Sequence, residues 1–193
     1  FNLNSLDQVE MNRLELPLKG KQIEAMTIAL ENDLTIVGTS DVHGLTTWDF
    51  RISEGGHRPI TFVLSKNKSV EAVKKALFAG KTMVWFKDII IGREEHLSKI
   101  IKANLTASSI SYNKDEIIAK VKLKNHAATP FHLSYKGLYT FHEDSSVFII
   151  PPHGEKTILV KTLERKTSLE LPFELLNGIT GAKKHLTFSL LTQ

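Results

Sequence analysis

Cysteine is absent from the 193-residue chain. Disulfides, thiolate nucleophiles and cysteine-based zinc sites are therefore excluded. Long apolar runs are absent as well: no stretch reaches the roughly 18 residues that a membrane span requires. The opening Phe1-Asn2-Leu3-Asn4 lacks the basic-then-apolar pattern of a signal peptide and has no initiator methionine. Processing or a preceding segment is expected, and the N-terminus fixes no compartment. A signal peptide further upstream would direct the protein to the periplasm or out of the cell. There is no block of like charges and no nucleic-acid motif. The net charge of +4 mildly favours anionic partners, but the lysines are dispersed and describe a solvated basic surface. With 41% hydrophobic and 24% charged residues, the composition is that of a soluble globular chain. The length suits one large domain or two small ones.

Two textures follow one another. Up to about residue 106, helix-like and strand-like segments alternate. Ile23, Met26 and Leu30 share one face of a helix predicted over residues 19–31, with Pro17 and Gly20 blurring its start and Asn32 suited to its C-terminal cap. Residues 34–39 are short, apolar and β-branched, as in a buried strand. Residues 60–64 and 81–86 read as further strands. Between them a helix is predicted over Val70–Phe78, opened by the N-cap Ser69 and closed by Gly80. A last helix spans residues 94–105, with Leu97, Ile100, Ile101 and Leu105 facing inward. Strand–helix–strand alternation of this kind implies right-handed crossovers and a parallel sheet, in an open doubly wound fold or a (β/α) barrel.

Beyond residue 106 only strand signals appear. Lys120, Lys122 and Lys124 alternate with Ala119, Val121 and Leu123, a half-buried strand of period two. Further strands are predicted over Phe131–Tyr135, Val147–Ile150 and residues 157–161, 169–173 and 185–190. Asn125, Pro151-Pro152, Gly154, Gly178 and Gly181 serve as turn signals. So many short strands imply a sandwich of the immunoglobulin or fibronectin kind. The expected division is 1–106 and 107–193.

The sharpest chemical signal is Gly38-Thr39-Ser40-Asp41-Val42-His43-Gly44, directly after the predicted buried strand. On extended chain Asp41 and His43 point the same way, and a carboxylate with an imidazole suits zinc, manganese or iron. The bland alternative is a turn-capping aspartate beside an ordinary loop histidine. A Ser40–His43–Asp41 triad is disfavoured, because Ser40 points away and no nucleophile elbow is present. A second signal is Glu54-Gly55-Gly56-His57-Arg58-Pro59. Its glycines allow close backbone approach, and His57 with Arg58 can meet a phosphate; a surface loop with a structural ion pair is the alternative. Trp48, Asp49 and Phe50 are expected to pack under the loop in preference to walling a pocket. His96, His126, His132, His142, His153 and His185 lie in no ligand pattern and read as surface or satisfied histidines.

Taken together, the segment from Asn32 to Gly44 resembles the last metal-binding motif of the polymerase and histidinol phosphatase (PHP) family, closest to its bacterial phosphodiesterase-like members. In those, a His-Arg-Pro loop, an apolar strand, an Ala-Leu-Phe-Ala-Gly helix end and an Ile-Gly step follow in the same order. Here these are His57-Arg58-Pro59, residues 60–64, Ala76-Leu77-Phe78-Ala79-Gly80 and Ile91-Gly92. The resemblance implies α/β followed by all-β: the C-terminal portion of a (β/α)₇ PHP-type barrel, then an immunoglobulin-like sandwich. It also implies a phosphate-ester substrate and two or three divalent metal ions that activate water, with Asp41 and His43 as metal ligands.

One departure qualifies this. The family's early His-x-His occurs nowhere here, and 40 residues precede Asp41, too few for the missing strands. Residue 1 is therefore expected to fall mid-barrel, with most of the active site outside this chain. The isolated chain should bind metal weakly and hydrolyse nothing. Its cut sheet edge should invite self-association, and residues 1–20 should be partly disordered. The rival reading is a non-catalytic fragment whose sandwich is an interaction or glycan-binding module.

Overall fold

The computed structural model describes residues 21–114 and 116–192. They divide into two compact units: residues up to Leu97 together with Gly178–His185, and Ser98–Asn177 together with the residues from Leu186 onward.

In the first unit, helix α1 (Lys21–Glu31) buries Met26 completely, with Ile23 and Leu30 packed beside it. The expected start at Lys19, with Pro17 and Gly20, lies outside the described residues, as does the disorder expected for residues 1–20. The helix ends where Asn32 donates from its side-chain Nδ2 to the Ile28 carbonyl at 2.9 Å and Asp33 turns left-handed at φ 52°. Residues 34–39 do not form the expected strand; they hold a single bridge residue, Thr39. Ile36 is buried, but Leu34 and Val37 are exposed. The segment is tied down by threonines. Gly38 N–H donates to Thr61 Oγ1 at 2.9 Å, and Thr82 Oγ1 donates to the Ile36 carbonyl at 2.6 Å.

Next come the short helix α2 (Thr46–Phe50), β1 (Ile60–Val63), α3 (Val70–Phe78), β2 (Thr82–Phe86), β3 (Ile89–Gly92) and α4 (Glu94–Asn104). Ser69 caps α3 by accepting from Ala72 N–H at 3.2 Å. Gly80, at φ 64°, turns the chain out of it.

The barrel expectation is overturned here. Strands dominate, helices are few, and among the described residues no portion of a (β/α)₇ barrel is present. The physical reason lies in the pairing. Val63 sits opposite Thr82 and Ile60 opposite Trp85, so β1 and β2 are antiparallel. The chain leaves and re-enters the sheet at the same end, and α3 is an excursion from that end. A crossover would have carried the chain back to the other end and made the strands parallel. β3 then returns against β2 after the two-residue link Lys87-Asp88, with Lys87 left-handed at φ 53°. On its other side β3 pairs in parallel with the end of a later strand, β10 (Glu170–Gly181), through Ile90–Gly178 and Ile91–Ile179.

The second unit is all strand apart from the end of α4. β4 (Leu105–Ala107), β5 (Ile118–Asn125), β9 (Glu155–Lys161) and β7 (Thr140–Phe141) form one sheet in the order β4-β5-β9-β7. β6 (Phe131–Tyr135) lies between β8 (Val147–Ile150) and β10 (Glu170–Gly181), and β11 (Lys184–Leu191) pairs with β10. Along β5, Ala119, Val121 and Leu123 are fully buried and the lysines between them face outward. Rings of the two sheets meet in the core: Phe141 of β7 lies 4.8 Å from Tyr135 of β6 and 6.1 Å from Phe148 of β8, centre to centre. Gly178, expected to turn the chain, lies inside the twelve-residue β10, whereas Gly181 ends that strand directly before the turn at residues 182–183.

Candidate functional site

The Asp41–His43 pair belongs to the first unit, on the loop between residues 34–39 and the short helix α2 (Thr46–Phe50). The close-approach residue of this loop is Gly38: a Cβ there would lie 2.4 Å from Val84 Cγ1. The left-handed residue is not Gly44 but Asp41, at φ 52°, a conformation aspartate tolerates better than most side chains. The backbone is therefore not extended through the motif, yet the two side chains still converge. Asp41 Oδ1 and His43 Nε2 are 3.6 Å apart, with the side chains 64% and 90% exposed.

A carboxylate and an imidazole this close supply two donors to a divalent cation. A catalytic zinc ordinarily has three protein ligands. Among the described residues no group of three or more His, Asp or Glu side chains gathers closely enough to hold a metal ion. The donor set thus fits part of a metal shell and not a whole one, and the high exposure leaves the other positions to water.

The second signal occupies a loop shaped by its glycines. α2 ends in Arg51 at φ 43°, a 3-10 turn covers Ile52–Glu54, and Gly55 follows at φ 86°. A Cβ on Gly56 would lie 1.9 Å from the Phe50 carbonyl oxygen, so only glycine fits there. This fixes how His57 leaves the turn. Its ring packs on Trp85 of β2 at 4.2 Å between centres, and its Nδ1 lies 2.8 Å from the Arg58 carbonyl oxygen. Arg58 is exposed and Pro59 buried. The structure therefore brings Asp41 to His43, and holds His57 against β2. Of the residues between the two signals, Phe50 packs edge-on against Phe86 at 6.0 Å, whereas Trp48 stands 76% exposed.

No motif drew attention to a hollow of about 790 Å³ in the second unit, lined among others by Tyr135, Leu138, Tyr139, Lys161, Leu163 and Pro172. The turn at its rim is shaped by Gly137, where a Cβ would come within 2.1 Å of the Tyr135 hydroxyl oxygen. That hydroxyl is buried, and burial raises its pKa above the ordinary tyrosine value, with the Tyr139 backbone acting in the opposite sense. The available signal in the sequence was the cluster Gly137-Leu138-Tyr139, apolar residues where a turn is expected.

Residues 105–191 match a family model described as an Ig-like domain. No curated protein matches the chain. A solved two-domain protein from Bacteroides vulgatus ATCC 8482, containing a predicted PHP-like metal-dependent phosphoesterase, is similar with a TM-score of 0.77 and 25% identity. The match covers 88% of this chain and 49% of that one, so the chain spans about half the length of that structure. No helix among the described residues is long and apolar enough to cross a membrane.

Proposed function

We propose that this chain is a non-catalytic part of a PHP-like phosphoesterase system, and that its immunoglobulin-like sandwich is an interaction module. The observation that carries the reading is the contrast between the two sites. The sandwich has a buried aromatic core and matches an Ig-like family along its whole length, whereas the phosphoesterase-like motif offers two exposed donors. Two water-exposed ligands hold a divalent cation weakly, because each further protein ligand contributes to both affinity and geometry. The test is calorimetric titration of the chain with manganese and zinc, beside hydrolysis of a chromogenic phosphodiester. Weak binding and no turnover are expected. Micromolar binding with metal-dependent turnover, lost in Asp41→Ala or His43→Ala, would overturn the reading.

A second reading concerns a longer protein and is favoured by the 3.6 Å approach of Asp41 to His43 and by the phosphoesterase named in the similar structure. In such a protein Asp41 and His43 supply two metal ligands, and His57 and Arg58 meet the phosphate ester. Comparing its activity in wild type, Asp41→Ala and His43→Ala forms tests this; equal rates in all three would remove both residues from the site.

A further inference from the structure

We infer that the hollow at one end of the sandwich docks a polypeptide segment presenting a bulky apolar side chain with charges of both signs beside it. The inference rests on the interaction-module reading and gives that module a site and a class of partner.

The hollow opens between the ends of the two sheets. Tyr135 ends β6 and Pro172 lies in β10 on one side; Thr140 begins β7 and Lys161 ends β9 on the other. Loops at the ends of immunoglobulin-type sandwiches are where such folds carry recognition. Two loops frame this mouth, and each holds a leucine in water: Leu138 is 101% exposed and Leu163 is 96% exposed. A single exposed leucine is unremarkable on any surface. Two of them on separate loops around one concavity, with tyrosine rings in its wall, make the apolar anchor pocket that protein partners fill.

The lining selects the class of ligand. Sugars are held by flat aromatic faces combined with several planar polar groups. Here aliphatic tips and a proline share the rim, and Lys136 is already engaged with Glu174 at 2.8 Å. The remaining charges, Lys161 and Glu170, also line the hollow, and neither has an ion-pair partner among the described residues. One unpaired cation and one unpaired anion beside an apolar hollow complement a segment of mixed charge. A polyanion would meet the Glu170 carboxylate, and a polycation the Lys161 ammonium.

Random peptides displayed on phage and selected on the 193-residue chain provide the probe, with titration of the recovered synthetic peptides against wild type, Leu138→Lys/Leu163→Lys and Lys161→Glu. Both leucines are solvent-exposed, so the double variant should melt with the wild type. The expected result is a shared aromatic or large aliphatic anchor, affinity reduced roughly tenfold or more by the double variant, and an acidic flanking position that turns basic on Lys161→Glu. Peptides that bind all three proteins equally would place the interaction elsewhere, overturning this site while leaving the module reading intact. Binding of an arrayed glycan that the double variant abolishes would overturn the polypeptide class. No peptide and no glycan bound would remove both the site and the module reading.

Discussion

Asn125 offers a direct measure of what holds the sandwich together. Its side chain is fully buried at the end of β5. The Nδ2 group donates to the Thr129 carbonyl at 2.8 Å and the Pro151 carbonyl at 3.0 Å, and Oδ1 accepts from Ala127 N–H at 2.8 Å. One carboxamide therefore closes the turn after β5 and ties it to the end of β8. Alanine removes these three bonds and a longer one, from Nδ2 to the Ile150 carbonyl at 3.4 Å. Each is worth about 1 kcal/mol net, and a buried group left without a partner costs about 1–3 kcal/mol. The Pro151 carbonyl keeps the Gly154 N–H at 3.1 Å, whereas Thr129 is 7% exposed and its carbonyl loses the Asn125 donor inside the fold. Asn125→Ala should therefore destabilise the second unit by about 2–4 kcal/mol. Asn125→Asp should do at least as much, because it removes both donors and brings a carboxylate into the core. The assay is urea unfolding followed through amide signals of β5 and β9. With a slope near 2 kcal/mol/M, the midpoint should fall by about 1–2 M at unchanged slope. A fall below about 0.3 M would show that the turn is held by its backbone alone and that the carboxamide is incidental.

Two other perturbations probe the loop and the hollow. Gly56→Ala should cost about 1–3 kcal/mol, since its Cβ meets the Phe50 carbonyl and not a movable side-chain tip. In a Trp48→Phe background, where Trp85 is the remaining tryptophan, the shift of His57 should appear as altered emission; unchanged emission and stability would mean that the turn relaxes freely. For Tyr135 the folded pKa is raised above the ordinary tyrosine value, chiefly by burial. Its stabilising contribution is therefore fully present below the unfolded pKa of about 10 and lost as pH rises through the folded value. Wild type should lose stability in alkali more steeply than Tyr135→Phe, and parallel urea midpoints across that range would refute the assignment.

What the sequence made legible was the local part of the fold. Ser69 and Gly80 mark α3 because capping is chemistry between near neighbours. Alternation marks β5 because one face is buried and the other wet. The direction of pairing is not local in this sense. The same strand–helix–strand string describes a crossover and an excursion, and the difference is which end of β2 meets Val63. Gly178 resembles a turn residue until β3 is found beside it.

The same distinction governs the chemistry. Asp41 and His43 can be singled out by residue type and spacing, and they do approach one another, although through a left-handed Asp41 and not through extended chain. A complete metal shell needs further donors that spacing within one loop cannot supply. Exposure decides what such a pair does by itself: at 64% and 90% it competes with water for every remaining coordination position. The hollow beside Tyr135 presents the reverse case. Its leucines form no motif, because the property that unites them is placement on two loops about 25 residues apart in sequence, brought to one mouth by the pairing of β7 with β9. A motif search finds groups that act through their own chemistry. A recognition surface acts through shape and apolar area, and these exist only once the sheets have paired.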